Sequence, residues 1–157
     1  MTNKKTLYTA EATATGGRNG SVRSSDGVLN LQMLAPHGLG GREGATNPEQ
    51  LFAAGYASCF QQALLVVSGK EKLPLDPAFT VNCEVARQQT EAGAYGLAAT
   101  LTVRVPGVER RKARELVERA HEVCPYSAGT RGNMEVRLLL EDDNGHRTEL
   151  ADDVDTK

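Results

Sequence analysis

The side chains best suited to chemistry in this chain are two cysteines, an arginine and a glutamate: Cys59, Cys124, Arg18 and Glu49. A cysteine is nucleophilic as its thiolate, and an apolar shelter keeps it protonated unless a cation stands close. Cys59 falls inside a long uncharged stretch, which leaves two readings open: an inert packed thiol, or a nucleophile with a cation brought to it. Arg18, at the tip of Gly16-Gly17-Arg18-Asn19-Gly20, is the candidate cation, and equally an ordinary solvated hairpin arginine. Glu49 is the candidate partner to orient it, and equally an acid favoured by the dipole of a helix's first turn. Ten residues separate Glu49 from Cys59, about 15 Å along a straight helix. If both belong to one site, Glu49 acts through Arg18 or comes from another subunit. Cys124, on a buried stripe just before Pro125, reads by position as a core cysteine, and Cys83 reads as packing within a strand. His37, His121 and His146 have no ligand spacing and no neighbouring nucleophile, so they receive no role. No cysteine lies in a C-x-x-C pair, and no metal is expected.

Those residues need elements to position them. Residues 7–15, 21–24 and 29–33 read as strands, with glycines at 16–20 and Asp26-Gly27 as turns. A glycine-rich loop over 36–46 leads to Asn47-Pro48-Glu49-Gln50, which supplies an N-cap, a proline at the first helical position and a Gln three residues after the cap. The helix expected over 48–67 carries no charge after Glu49. A helix without a polar face must be buried all round, more than so small a domain can do, so a second subunit is expected to cover it. On this helix Phe52, Gly55, Tyr56, Gln62, Ala63 and Val66 share the face of Cys59, and Gly55 is expected to leave open space over the thiol. Phe79, Val81, Cys83 and Val85 alternate inward on one strand, and Tyr95, Leu97, Ala99, Leu101, Val103 and Val105 on the next. A second helix over 109–123 presents Ala113, Leu116, Val117, Ala120 and either Val123 or Cys124, and Pro125 is expected to stop it. Met134, Val136, Leu138 and Leu140 form a last strand. Residues 1–141 thus read as one α+β domain rich in hairpins, and 142–157 as a solvated acidic tail.

Composition excludes several classes of function. A formal net charge of −2 offers no broad field for nucleic acid or an anionic membrane, and seven aromatics, none of them Trp, make no base-stacking surface. The N-terminus has no apolar stretch behind its lysines, and the uncharged run at 50–68 is too polar for a membrane span. A cytoplasmic, reducing setting is expected, where three cysteines are not a permanent disulfide framework.

Three stretches carry a resemblance to a known family. They are Leu7-Tyr8-Thr9-Ala10-Glu11-Ala12-Thr13-Ala14-Thr15-Gly16-Gly17-Arg18, then Gly44-Ala45-Thr46-Asn47-Pro48-Glu49-Gln50-Leu51-Phe52-Ala53-Ala54-Gly55-Tyr56-Ala57-Ser58-Cys59-Phe60, and Cys124-Pro125-Tyr126-Ser127 with Thr130-Arg131-Gly132-Asn133. In this order, within residues 6–141, they resemble the organic hydroperoxide resistance proteins of the OsmC-like superfamily. The resemblance places Cys59, Arg18, Glu49 and Cys124 on that family's reactive cysteine, arginine, glutamate and second cysteine. It implies an intertwined homodimer of curved antiparallel sheets around two main helices, with active sites at the subunit interface. It also implies a thiol peroxidase that reduces alkyl and fatty-acid hydroperoxides through a Cys59 sulfenic acid and a Cys59–Cys124 disulfide. A lipoyl-type dithiol, as dihydrolipoamide or a lipoylated protein, would reset the enzyme, with no bound cofactor. Phe52, Tyr56, Val66 and Tyr126 are the expected substrate pocket. Ala128-Gly129 departs from the bulkier or more polar residues expected there.

Two other readings use the same cysteines. An enzyme of the osmotically inducible branch would share the chemistry with a different substrate range, but the Gly-Gly-Arg and Cys-Pro-Tyr-Ser stretches favour the organic hydroperoxide branch. A redox sensor would stall where an enzyme turns over with dithiol, and no DNA-reading helix or basic patch supports it. An inert structural module would leave Cys59 resistant to alkylation.

Overall fold

The computed structural model describes residues 3–150, and the chain divides into two compact units, one ending at Leu51 and the other beginning at Phe52.

The first unit is an antiparallel meander of β1 (Ala12–Thr15), β2 (Ser21–Ser24) and β3 (Asn30–Gln32), with Val22 opposite both Ala14 and Leu31. The Asp26-Gly27 turn forms as read. Gly27 takes φ +76°, and Asp26 Oδ1 accepts from the Ser24 hydroxyl at 2.6 Å and the Val28 N–H at 3.0 Å. The first strand is shorter than its Thr-rich pattern predicts. Pairing on this sheet ends near Glu11, whose carbonyl accepts from Ser25 N–H, because the β2–β3 hairpin has already turned. Leu7 and Tyr8 are left 87% and 81% exposed.

Helix α1 (Pro48–Lys70) starts where the capping pattern places it and runs one turn further than expected. Asn47 Oδ1 accepts from Gln50 N–H at 2.8 Å, as an N-cap does. Gln50 Oε1 accepts from the Thr46 hydroxyl at 2.8 Å and so does not close a reciprocal box.

The second unit packs most of α1 against a four-stranded sheet and the helices α2 (Arg110–Val123) and α3 (Pro125–Thr130). The sheet runs β4 (Thr80–Gln89), β5 (Tyr95–Arg104), β6 (Glu135–Glu141), β7 (Arg147–Glu149). Its core joins Tyr56, Phe60, Leu64 and Val67 of α1 to Leu101 and Val103 of β5, Leu116 and Val117 of α2, and Leu138 of β6. Glu109 caps α2 by accepting from Arg111 N–H at 3.1 Å and Lys112 N–H at 3.3 Å. Glu71, just past α1, pairs with Lys112 and Arg119 of α2.

Several expectations are corrected. The sheet is not wholly antiparallel: β5 and β6 are parallel, because the α2–α3 crossover returns the chain to the same end of the sheet. Pro125 does not simply end a helix; it opens α3 from the first helical position, where its missing N–H costs nothing. Tyr95 is exposed, with Arg87 stacked 4.2 Å above its ring, rather than turned into the core. The expected acidic tail is structured through residue 150. Asp142 Oδ1 accepts from Asn144 N–H at 2.9 Å and His146 N–H at 2.9 Å, which closes a turn and returns β7 antiparallel to β6. Leu150 is then buried in the core; residues 151–157, the rest of that tail, lie outside the described residues. One expectation stands: a single chain does not bury α1 all round. Leu65 and Val66 are 44% and 41% exposed. By length and composition alone α1 would suit a membrane, but its other side lies in the protein core.

Candidate functional site

The second unit brings the two cysteines together. Cys59 sits mid-way along α1, half-buried. Cys124 is fully buried at the junction where α2 ends and α3 begins. Its φ −66° and ψ 124° are extended, as a residue before proline prefers, and this corner turns the side chain toward α1. Cys124 Sγ donates to Cys59 Sγ at 3.6 Å. Two thiols in van der Waals contact need a shift of about 1.5 Å to reach disulfide length. Of the two alternatives on the α2 stripe, Cys124 is the buried one and Val123 the exposed one.

Within its own surroundings the Cys59 thiol is pushed above the ordinary cysteine value. Burial contributes most, the Tyr126 backbone N–H opposes it, and the Cys124 thiol adds to the rise. Cys83 behaves as the packing cysteine it was read to be. It is half-buried on β4 with its thiol pushed up to about 11, chiefly by burial and then by Glu84.

Aromatic rings close over this region. Phe52, Tyr56 and Tyr126 form a mutual cluster with centroids 5.6 to 6.3 Å apart. The space over Gly55 is not open, as its missing side chain implied. A Cβ there would lie 2.6 Å from Tyr126 Oη, so the glycine admits the tyrosine ring. Tyr56 is no open wall either, since it is fully buried, with Phe52 edge-on and Tyr126 tilted against it. Val66 is exposed two turns beyond Cys59 and does not join these rings. On its other side Phe52 lines a concavity of about 590 Å³ with Tyr95, Leu97, Thr130 and Met134.

Reading the sequence missed a buried polar chain behind the cysteines. Ser127 Oγ lies 2.8 Å from Tyr56 Oη and 2.8 Å from His121 Nδ1, and Tyr56 Oη is also 3.4 Å from Thr130 Oγ1. Burial and the hydrogen bond to Ser127 give His121 a place that the lack of ligand spacing concealed. The available signal was its position, four residues after Val117 and three before Cys124, on the buried stripe of α2.

The first unit holds Arg18 and Glu49 as a bidentate pair. Arg18 Nη1 donates to Glu49 Oε2 at 2.7 Å and Nη2 to Oε1 at 2.5 Å. Arg18 projects from a single 3-10 turn at Gly17–Asn19, entered through Gly16 and Gly17 at φ +79° and +58°, where a side chain would be strained. The hydrogen bonds it donates to Glu49 raise the arginine's pKa, so its charge is fixed over any ordinary pH.

A family model described as "OsmC-like protein" matches residues 40–138. An organic hydroperoxide resistance protein of Xanthomonas axonopodis pv. citri is 47% identical over 138 residues, covering 87% of this chain and 96% of that one. The Bacillus subtilis organic hydroperoxide resistance protein OhrB is 42% identical over 134 residues, covering 85% and 98%. Among solved structures, an organic hydroperoxide resistance protein from Elizabethkingia anophelis, with thiocyanate bound, superposes with a TM-score of 0.84 at 48% identity, covering 89% of this chain and all of that one.

Proposed function

Because the chain belongs to the OsmC-like family, among its organic hydroperoxide resistance proteins, we propose that it is a cytoplasmic thiol peroxidase in which Cys59 reduces organic hydroperoxides and Cys124 resolves the oxidised sulfur. The observation that carries this reading is the sulfur–sulfur distance of 3.6 Å between a half-exposed and a fully buried cysteine.

The steps follow from the groups present. Burial alone holds Cys59 as a thiol, so the reaction needs a cation. Arg18, its plane set by the Glu49 fork, is the group assigned to that task. The Cys59 thiolate attacks the outer oxygen of ROOH, the O–O bond breaks, and the alkoxide leaves as the alcohol after taking a proton. The guanidinium also stabilises charge on the departing oxygen. Cys59 is then a sulfenic acid. Cys124 attacks its sulfur, the S–S bond forms, and the hydroxyl leaves as water with the Cys124 proton. A dithiol of the lipoyl kind, free or protein-borne, reduces the disulfide by exchange and is itself oxidised.

The aromatic cluster above Cys59 favours alkyl and fatty-acid peroxides over hydrogen peroxide. Each methylene taken from water contributes about 0.8 kcal/mol. A homodimer is part of the proposal, supported by the uncovered apolar side of α1 and the exposed Leu7 and Tyr8. The test is a coupled turnover assay with dihydrolipoamide across hydroperoxides of increasing size. Rates should climb from hydrogen peroxide to bulky alkyl hydroperoxides and vanish in Cys59→Ser; equal rates for all substrates, or turnover without Cys59, would sink the assignment.

A further inference from the structure

We propose that Ser127 is a positioning residue for disulfide closure, its buried hydroxyl holding the α2–α3 corner so that Cys124 faces Cys59. This deepens the proposed peroxidase reading and rests on it.

The resolving step makes an unusual demand. Cys124 is the C-cap of one helix and the N-cap of the next, a junction where a chain is free to splay. Its sulfur must nonetheless travel about 1.5 Å along one direction to form a bond of fixed length and dihedral. A fully buried hydroxyl sits three residues past that junction. Ser127 Oγ bonds Tyr56 Oη on α1, three residues before Cys59, and His121 Nδ1 on α2, three residues before Cys124, both at 2.8 Å. One oxygen on α3 therefore ties together the helices that carry the two sulfurs. The corner is fastened further by Arg131 Nη2 donating to the His121 carbonyl at 2.7 Å and by Ala128 N–H donating to the Cys124 carbonyl at 3.0 Å.

The reacting atoms need none of these groups: the sulfenic hydroxyl leaves as water with the proton of Cys124, and Ser127 exchanges nothing. Its effect is orientation, and a displacement of about 1 Å slows a reaction by on the order of 100-fold. The loss should fall on closure and spare the first oxidation, in which Cys124 takes no part.

Rapid mixing with one equivalent of an alkyl hydroperoxide separates the two events, with acid quench and mass analysis resolving sulfenic acid from disulfide. Ser127→Ala should oxidise Cys59 at the rate of the unmodified protein and close the disulfide at least about tenfold more slowly. Tyr56→Phe, which keeps the ring and removes one partner of the hydroxyl, should show a smaller delay in the same step. Ser127→Thr, which keeps the hydroxyl, should restore most of the closure rate; this guards against a variant that merely misfolds. Unchanged closure in Ser127→Ala, or first oxidation slowed as much as closure, would overturn the inference. If the unmodified protein forms no Cys59–Cys124 disulfide at all, the peroxidase reading itself fails, a distinct result.

Discussion

Replacing Arg18 with alanine separates two roles assigned to one guanidinium, and the expected loss can be worked through. The starting point is a thiol whose ordinary value is 9.0, raised further by burial in this site. Without a cation only a small fraction of such a thiol is thiolate near neutrality, whereas a cation-activated cysteine is substantially ionised there. Speciation alone therefore slows the reaction near neutrality. A more basic thiolate is the better nucleophile, and with a Brønsted slope of about 0.45 this returns part, not all, of that loss. Loss of a donor at the departing oxygen costs on the order of 100-fold. The net deficit at about pH 7 should then exceed the roughly 100-fold of the donor alone, in the second-order rate with an alkyl hydroperoxide. As pH rises and both thiols ionise, only the last two effects remain and the deficit should shrink below about 100-fold. Stopped-flow oxidation across this range reads both values. A deficit that stays constant with pH would refute the claim that Arg18 ionises Cys59. Glu49→Gln, which keeps the cation and loosens the fork seen at 2.7 and 2.5 Å, should show the same pH trend at a fraction of the size.

Other substitutions probe separate parts of the account. Cys124→Ser should leave the first oxidation intact but let excess hydroperoxide carry Cys59 to sulfinic and sulfonic acids, read by intact mass; normal cycling with dithiols would remove Cys124 from the mechanism. Gly55→Ala would set a methyl 2.6 Å from Tyr126 Oη and swing that ring aside. Since helix propensity offsets up to about 1 kcal/mol, thermal stability should change little while relative rates for bulky and small hydroperoxides shift. An unchanged substrate profile would mean that Tyr126 does not shape the pocket. Leu65→Arg on the uncovered side of α1 should turn a dimer into a monomer by sedimentation, and an unaffected dimer would place the interface elsewhere.

How much of this was legible beforehand differs by element. The start of α1 could be read residue by residue, because an N-cap, a proline and the absence of charge are local signals. The alternation of β4 and the stripe of α2 were equally plain, since burial imposes a period that the sequence must obey. What escaped was set by tertiary partners. Whether β6 pairs parallel or antiparallel depends on where the α2–α3 crossover delivers the chain, and nothing within the strand records it. The β7 hairpin hid in an acid-rich run because Asp142 spends its carboxylate on a turn rather than on solvent. At the site, Cys59 and Cys124 were singled out, and they stand in contact. Gly55 was rightly marked as a gap but wrongly left empty, since the ring that fills it comes from residue 126, seventy-one positions on. His121 and Ser127 were invisible for the same reason: each is unremarkable alone and acquires meaning through the other.

The most direct test of the central claim is a thiol map after one equivalent of alkyl hydroperoxide, by alkylation and peptide mass analysis. The account predicts one alcohol formed per chain, a peptide pair joined through Cys59 and Cys124, and Cys83 still alkylatable after denaturation. Oxidation lodged on Cys83, or Cys59 and Cys124 both recovered as free thiols, would contradict it.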